Sequence, residues 1–188
     1  MIGSNEVEKH YFETYKQNHL TTNNEDSLIL GDITDSIIKE KIINSKNKVD
    51  KVGLVIGGPP CQGFSMIGRA KKATLEERTK GFIDDPRNQL FKYYLKFAEK
   101  LSPKLVLIEN VKGLASASGY RDLIEKSLTD TGKYGYDTSS HILNAKDFGL
   151  AQNRERIFFI GVRKDISEKY DISASEIFNE IIKEKKDP

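Results

Sequence analysis

Cysteine is nearly missing from this 188-residue chain, with Cys61 the only one. A lone thiol excludes an internal disulfide framework and fits a reducing compartment, so a cytoplasmic protein is expected. No apolar run approaches the roughly 20 residues that cross a bilayer, and no signal-peptide pattern opens the sequence, so no membrane partner is expected. Histidine is scarce too. His10, His19 and His141 are scattered, and with Cys61 they give no metal-ligand spacing, so no metal is expected. Repeats and low-complexity tracts are absent. The formal net charge of +2 is too small to mark a nucleic-acid binder by itself. The length suits one domain with one substantial core.

The densest local pattern surrounds that single thiol, in Gly57-Gly58-Pro59-Pro60-Cys61-Gln62-Gly63-Phe64-Ser65. The apolar run Val52 to Ile56 reads as a buried strand. Two glycines let the backbone leave the sheet, and two prolines stiffen the departing segment. Cys61 is therefore expected at the carboxyl end of a strand, where open α/β sheets bind ligands. The competing reading is an inert buried thiol. A long polar segment follows, roughly Ser65 to Arg87, with Gly68 and Gly81 as hinges; a loop of that length is usually functional. Arg69 to Lys92 holds seven basic residues against Glu76, Glu77, Asp84 and Asp85. This surplus suits phosphate contacts or, equally, a solvated loop.

The rest of the chain alternates strand and helix, which predicts an α/β fold with a mostly parallel sheet and helices on both faces. Val7, Tyr11 and Tyr15 have helical spacing, Ser27 to Leu30 is a short strand, and Ile33, Ile37, Ile38 and Ile42 mark a second helix. Leu90, Phe91, Tyr94, Leu95 and Ala98 predict an amphipathic helix stopped before Pro103. Lys104 to Ile108 is a second buried strand ending at Glu109-Asn110-Val111. Leu123, Ile124 and Leu128 outline a further helix. Ser139 to Asn144 and Arg156 to Val162 are the last strands, and Ile177, Phe178, Ile181 and Ile182 form a closing helix. Ending a buried strand, Glu109 is expected at the same sheet edge as Cys61, unless it is simply a helix cap or surface charge. Arg154 and Arg156 lie on one face by strand alternation, able to steady a carbonyl oxygen, carboxylate or phosphate, or else forming a solvated basic edge.

The segments around Cys61, Glu109 and Gln152-Asn153-Arg154-Glu155-Arg156 together resemble, in order, the motifs of the DNA cytosine-5 methyltransferases, a resemblance covering roughly Glu6 to Arg163. It implies a Rossmann-like S-adenosylmethionine-dependent methyltransferase fold, with Cys61 as nucleophile toward carbon 6 of a cytosine flipped out of duplex DNA. Glu109 would be the acid at ring nitrogen 3, Asn110 would fix the local backbone, and Arg154 and Arg156 would complete the catalytic pocket. Glu6 would bind the ribose of S-adenosylmethionine and Asp32-Ile33 its adenine, with Pro59 and Leu90 as further cofactor contacts. Asp84 to Phe91 resembles the segment after the family's mobile catalytic loop. Gln62, Ser65 and Arg69 would touch DNA.

The family's glycine-rich cofactor turn belongs upstream of Met1-Ile2-Gly3-Ser4, and its target-recognition domain belongs downstream of Arg163. The resemblance therefore implies that residues 1–188 are a partial catalytic domain with an incomplete sheet. That domain would be a fragment, or one subunit of a split restriction-modification methyltransferase whose complementing subunit carries the first cofactor motif and the recognition domain. A non-catalytic remnant or interaction subunit, and a tRNA cytosine-5 methyltransferase, are the alternatives.

Overall fold

A computed structural model describes residues 3–19, 27–45, 51–60, 74, 76–77, 80, 84, 88–116 and 119–184. The Cys61, Gln62, Ser65 and Arg69 positions, and nearly all of the predicted loop from Ser65 to Arg87, lie outside the described residues. The chain divides into two compact units, Met1–Val52 and Gly53–Pro188.

The first unit is a two-stranded parallel sheet with two helices. Strand β1 (Ser4–Glu6) pairs with β2 (Leu28–Leu30), Glu6 standing opposite Leu30. The Asn5 side chain strengthens this ribbon by donating to the carbonyls of Ile29 at 3.1 Å and Gly31 at 2.9 Å. Helix α1 (Lys9–His19) follows β1, and α2 (Ser36–Asn44) follows β2. Asp35 caps α2, its carboxylate accepting from the backbone N–H of Ile37 and Ile38, which satisfies two groups left free at any helix start. Neither helix buries a residue. The predicted Val7–Tyr11 stripe is exposed, and Val7 lies ahead of the helix.

The second unit is a four-stranded sheet in the order β3 (Leu54–Gly57), β4 (Leu105–Val111), β6 (Glu155–Arg163), β5 (Tyr136–Asn144). Helix α3 (Gln89–Leu101) forms where the apolar spacing predicts it and buries Phe91, Tyr94, Phe97 and Ala98. It ends at Ser102, whose left-handed φ of 44° precedes Pro103. A short α4 (Gly113–Ser116), α5 (Tyr120–Thr129), α6 (Lys164–Tyr170) and α7 (Ala174–Lys183) complete the unit.

Strand alternation distributes the core to both faces. Val106, Ile108, Ile157 and Phe159 pack with Phe91, Tyr94, Tyr120, Leu123 and Leu128 on one face. On the other, Ile160, Val162, Leu105 and Leu107 pack with Ala174, Phe178, Ile177 and Ile166. Helices thus cover both faces, as the α/β pattern predicts. Strand direction departs from expectation. Only β3–β4 is parallel in this sheet, whereas β4–β6 and β6–β5 are antiparallel, so the sheet is mixed rather than mostly parallel. The reason is the connection from β5 to β6. It contains only a 3-10 turn at Ala145–Phe148, and a parallel return needs a longer crossover.

The predicted buried strand at Val52 to Ile56 also differs. Among the described residues β3 pairs only with β4, and Leu54 and Ile56 are 46% and 64% exposed while Val55 packs inward.

Candidate active site

The antiparallel direction of β6 decides which residues meet. Its first residues lie beside the last residues of β4, with Arg156 opposite Val111 and Ile157 opposite Asn110. A parallel β6 would have carried its opening arginines to the far edge. At this rim Arg156 Nε lies 2.9 Å from Glu109 Oε1, with both side chains partly exposed. The Glu109 carboxylate also lies against the turn that leaves β3: a methyl group at Gly58 would be 3.4 Å from Glu109 Oε2. The carboxylate, the guanidinium and the backbone three residues before Cys61 therefore share one corner of the sheet.

Successive residues of β4 act on opposite faces. While Glu109 faces Arg156, the buried Asn110 donates from Nδ2 to the Pro59 carbonyl at 2.9 Å. Asn110 Oδ1 accepts from the Val111 N–H, also at 2.9 Å. A buried amide with both ends engaged fixes the Pro-Pro segment where it departs from the sheet, since leaving such groups unpaired is costly. Below it, the Tyr94 hydroxyl lies 3.2 Å from the Val55 carbonyl and 3.1 Å from that of Leu107, joining β3 to β4. Burial pushes the Tyr94 phenol far above its usual range, so it remains a protonated donor at neutral pH. Its ring fills the space beside Gly57, where a methyl group would approach to 2.8 Å.

Arg154 stands one residue ahead of β6 and is exposed. Its guanidinium makes no hydrogen bond or ion pair among the described residues. Two rim contacts carry no signal in the periodicity of the sequence. Lys112 Nζ reaches both oxygens of Glu155 at 2.8 and 2.7 Å, and Asn144 holds the segment before Arg154. The Lys112–Glu155 pair sits on the opposite face from Arg156, keeping the Glu155 carboxylate away from that guanidinium.

The expected cofactor residues divide between the units. In the first unit Glu6 ends β1 and Asp32 follows the end of β2, so both acids lie at the carboxyl edge of a parallel pair, the edge that binds ligands in α/β sheets. Glu6 Oε1 accepts from the N–H of Val7 at 2.8 Å and Glu8 at 2.9 Å, serving the start of α1. Asp32 Oδ1 accepts from the Thr34 N–H at 2.7 Å. That bond holds the Asp32 carboxyl below its usual range, so it is ionised at neutral pH. Ile33 follows it in the turn before α2. In the second unit Pro59 is buried and Leu90 is half-buried in the first turn of α3. No metal-holding cluster of His, Cys, Asp or Glu occurs among the described residues, and no described helix is long and apolar enough to cross a membrane.

Comparison with known proteins gives a family and a fold. The family model of C-5 cytosine-specific DNA methylases matches residues 1–188. The Type II methyltransferase M.FnuDI of Fusobacterium nucleatum is 35% identical over 167 residues, covering 89% of this chain and 42% of that protein. M1.HphI of Haemophilus parahaemolyticus is 38% identical over 173 residues, 87% of this chain and 40% of the relative. A crystal structure described as a DNA modification methyltransferase encoded within an E. coli prophage aligns with a TM-score of 0.59 at 31% identity, covering 91% of this chain and 42% of its own. The S. pombe Dnmt2 methyltransferase, at 20% identity and a TM-score of 0.57, shares the fold, with 86% and 41% covered. The chain thus spans about two fifths of the length of these relatives.

Proposed function

This chain belongs to the C-5 cytosine-specific DNA methylase family, and from that premise we propose that it carries the base-activating half of a methyl transfer to carbon 5 of cytosine in DNA. The observation that supports this reading best is the corner where Glu109 pairs with Arg156 beside Gly58, directly ahead of Pro59-Pro60-Cys61.

In this reading the Cys61 thiolate adds to carbon 6 of a cytosine flipped from the duplex, which makes carbon 5 electron-rich. Glu109 meets ring nitrogen 3, and Arg154 and Arg156 hold the ring's exocyclic edge. Loss of the carbon-5 proton after alkylation lets the thiolate depart and restores the ring double bond. Two carboxylates at one sheet edge suit the hydroxyl and amino donors of a nucleoside, so Glu6 and Asp32, with Ile33, would hold the nucleoside of S-adenosylmethionine; the family resemblance separately assigns Pro59 and Leu90 as cofactor contacts. When bound, that cofactor supplies the methyl group. Gln62, Ser65 and Arg69 would contact DNA. Segments beyond this span, on the same polypeptide or on a complementing subunit, would complete the cofactor site and read the target sequence, as part of a restriction-modification system in the cytoplasm.

The test is adduct formation with DNA containing 5-fluorocytosine, from which no proton can be lost and on which the enzyme stays bound. The chain, with a complementing fragment where one is required, should form a covalent adduct that Cys61→Ser abolishes. An adduct that survives in Cys61→Ser would remove the thiol from the mechanism.

A further inference from the structure

Asn144 ends β5 on the opposite side of the connection from Arg154 and belongs to none of the segments that carry the chemistry. Its single side chain nevertheless makes three contacts at the neck of that connection. Oδ1 accepts from the Arg154 N–H at 3.0 Å, a donor it shares with the Gln152 carbonyl, also at 3.0 Å, and from the Lys146 N–H at 3.3 Å. Nδ2 donates to Asn153 Oδ1 at 2.7 Å. The adjoining Ala145 N–H donates to the Arg154 carbonyl at 3.0 Å. The backbone of Arg154 is therefore gripped on both sides by the end of β5, one side through an amide oxygen. The direction in which the Arg154 side chain leaves the rim follows from that grip, because the residue precedes β6 and has no ladder partner of its own.

We propose that Asn144 is a positioning residue for Arg154. It fixes the angle at which the guanidinium is presented to the cytosine edge. This rests on the catalytic reading of Arg154 given above. A merely structural Asn144 would act on stability alone, whereas the half-exposed polar groups it satisfies can turn to water when it is removed, leaving the fold intact and Arg154 misdirected. Misplacement of a catalytic group by about 1 Å can lower turnover by about a hundredfold.

Four variants test this: Asn144→Ala, Asn144→Asp, Arg154→Ala, and Asn144→Ala combined with Arg154→Ala. Amide exchange at the Arg154 N–H should accelerate by up to about fivefold in Asn144→Ala, since the Gln152 carbonyl still accepts from that N–H and only the share held by Asn144 is lost. It should stay near wild type in Asn144→Asp, which keeps the accepting oxygen. In methyl transfer to DNA, Asn144→Ala should lower kcat about tenfold or more with little change in the KM for S-adenosylmethionine. Asn144→Asp should recover most of that loss, and Asn144→Ala should add nothing in the Arg154→Ala background. Unchanged exchange in Asn144→Ala overturns the proposal. So does full turnover in Asn144→Ala when Arg154→Ala is impaired, or a further loss of about tenfold when Asn144→Ala is added to Arg154→Ala. If Arg154→Ala itself keeps full turnover, the catalytic reading of Arg154 fails first.

Discussion

The two units place their apolar residues differently, and the candidate chemistry follows that division. In Gly53–Pro188 both faces of a four-stranded sheet are packed, and α3 alone buries four side chains. In Met1–Val52 the helices bury none, and Ile29 and Val52 are the buried apolar residues among those described. Val7, Tyr11 and Ile37 stand 56%, 58% and 63% exposed there. The groups that would act on the base, Glu109 and Arg156, and the Asn110 amide that holds the neighbouring turn, therefore sit on the better-packed scaffold, where misplacement is most costly. The acids assigned to the cofactor, Glu6 and Asp32, sit on a two-stranded ribbon joined by backbone pairing and the Asn5 amide. Parallel sheets are normally covered on both faces, and a two-stranded one has little stability of its own.

The widest separation between the units should appear on truncating one aromatic in each. Phe159 is fully buried in the second unit, and Phe159→Ala should cost about 3–5 kcal/mol. Tyr11 is 58% exposed in the first, and Tyr11→Ala should stay within about 0.5 kcal/mol. Urea unfolding followed by circular dichroism measures both. Comparable losses would mean that the first unit carries a core of its own, and the contrast would collapse.

A smaller effect sharpens how tightly the second unit is packed under its rim. A methyl group at Gly57 would meet the Tyr94 ring at 2.8 Å, whereas one at Gly53 would meet nothing within 4 Å. Gly57→Ala should therefore destabilise by about 1–3 kcal/mol, the usual cost of overfilling a packed site. Gly53→Ala, four residues away on the same segment, should be close to neutral. The two midpoints measured side by side decide the matter. Equal midpoints would show that the Tyr94 ring yields and that β3 is not clamped where the chain turns toward Cys61.

Much of this arrangement is legible in the chain, and the illegible parts have definite causes. The apolar spacing of Leu90 to Ala98 and the run into Glu109 identify α3 and β4, because both bury a continuous stripe. The direction of β6 is not legible, since Arg156 to Val162 reads alike in either sense and only the short connection from Asn144 to Arg154, with its single 3-10 turn, decides it. That direction in turn creates the Glu109–Arg156 pair. The exposure of Leu54 and Ile56 is hidden for a related reason: an apolar run shows what a strand could bury, not which neighbours cover it. Helix α6 escapes notice because Ile166 is its only residue packed on the core. Asn144 escapes because a polar residue at a strand end has no periodicity at all.

The smallest expected effect distinguishes the units by pH. His141 lies on β5 with its ring 4.6 Å from that of Phe178 on α7. Burial, reinforced by the Arg121 guanidinium and opposed by the Glu125 carboxylate, holds its imidazole below the usual value of 6.5. Protons then bind the unfolded chain more readily than the folded one. The stability contributed by neutral His141 is complete above about pH 6.5 and declines as pH falls through that value toward the lowered folded one. Arg121 donates to Ser140 Oγ, which in turn donates to Glu125 at 2.5 Å. Between pH 7 and 5, amide protection in β5 and α7 should decline in the wild type. His141→Phe, which keeps a ring against Phe178 and removes the titration, should show a shallower decline. Parallel pH profiles for the two proteins would mean that His141 is solvated in both states, and that the packing of α7 on β5 is looser than the rest of the second unit.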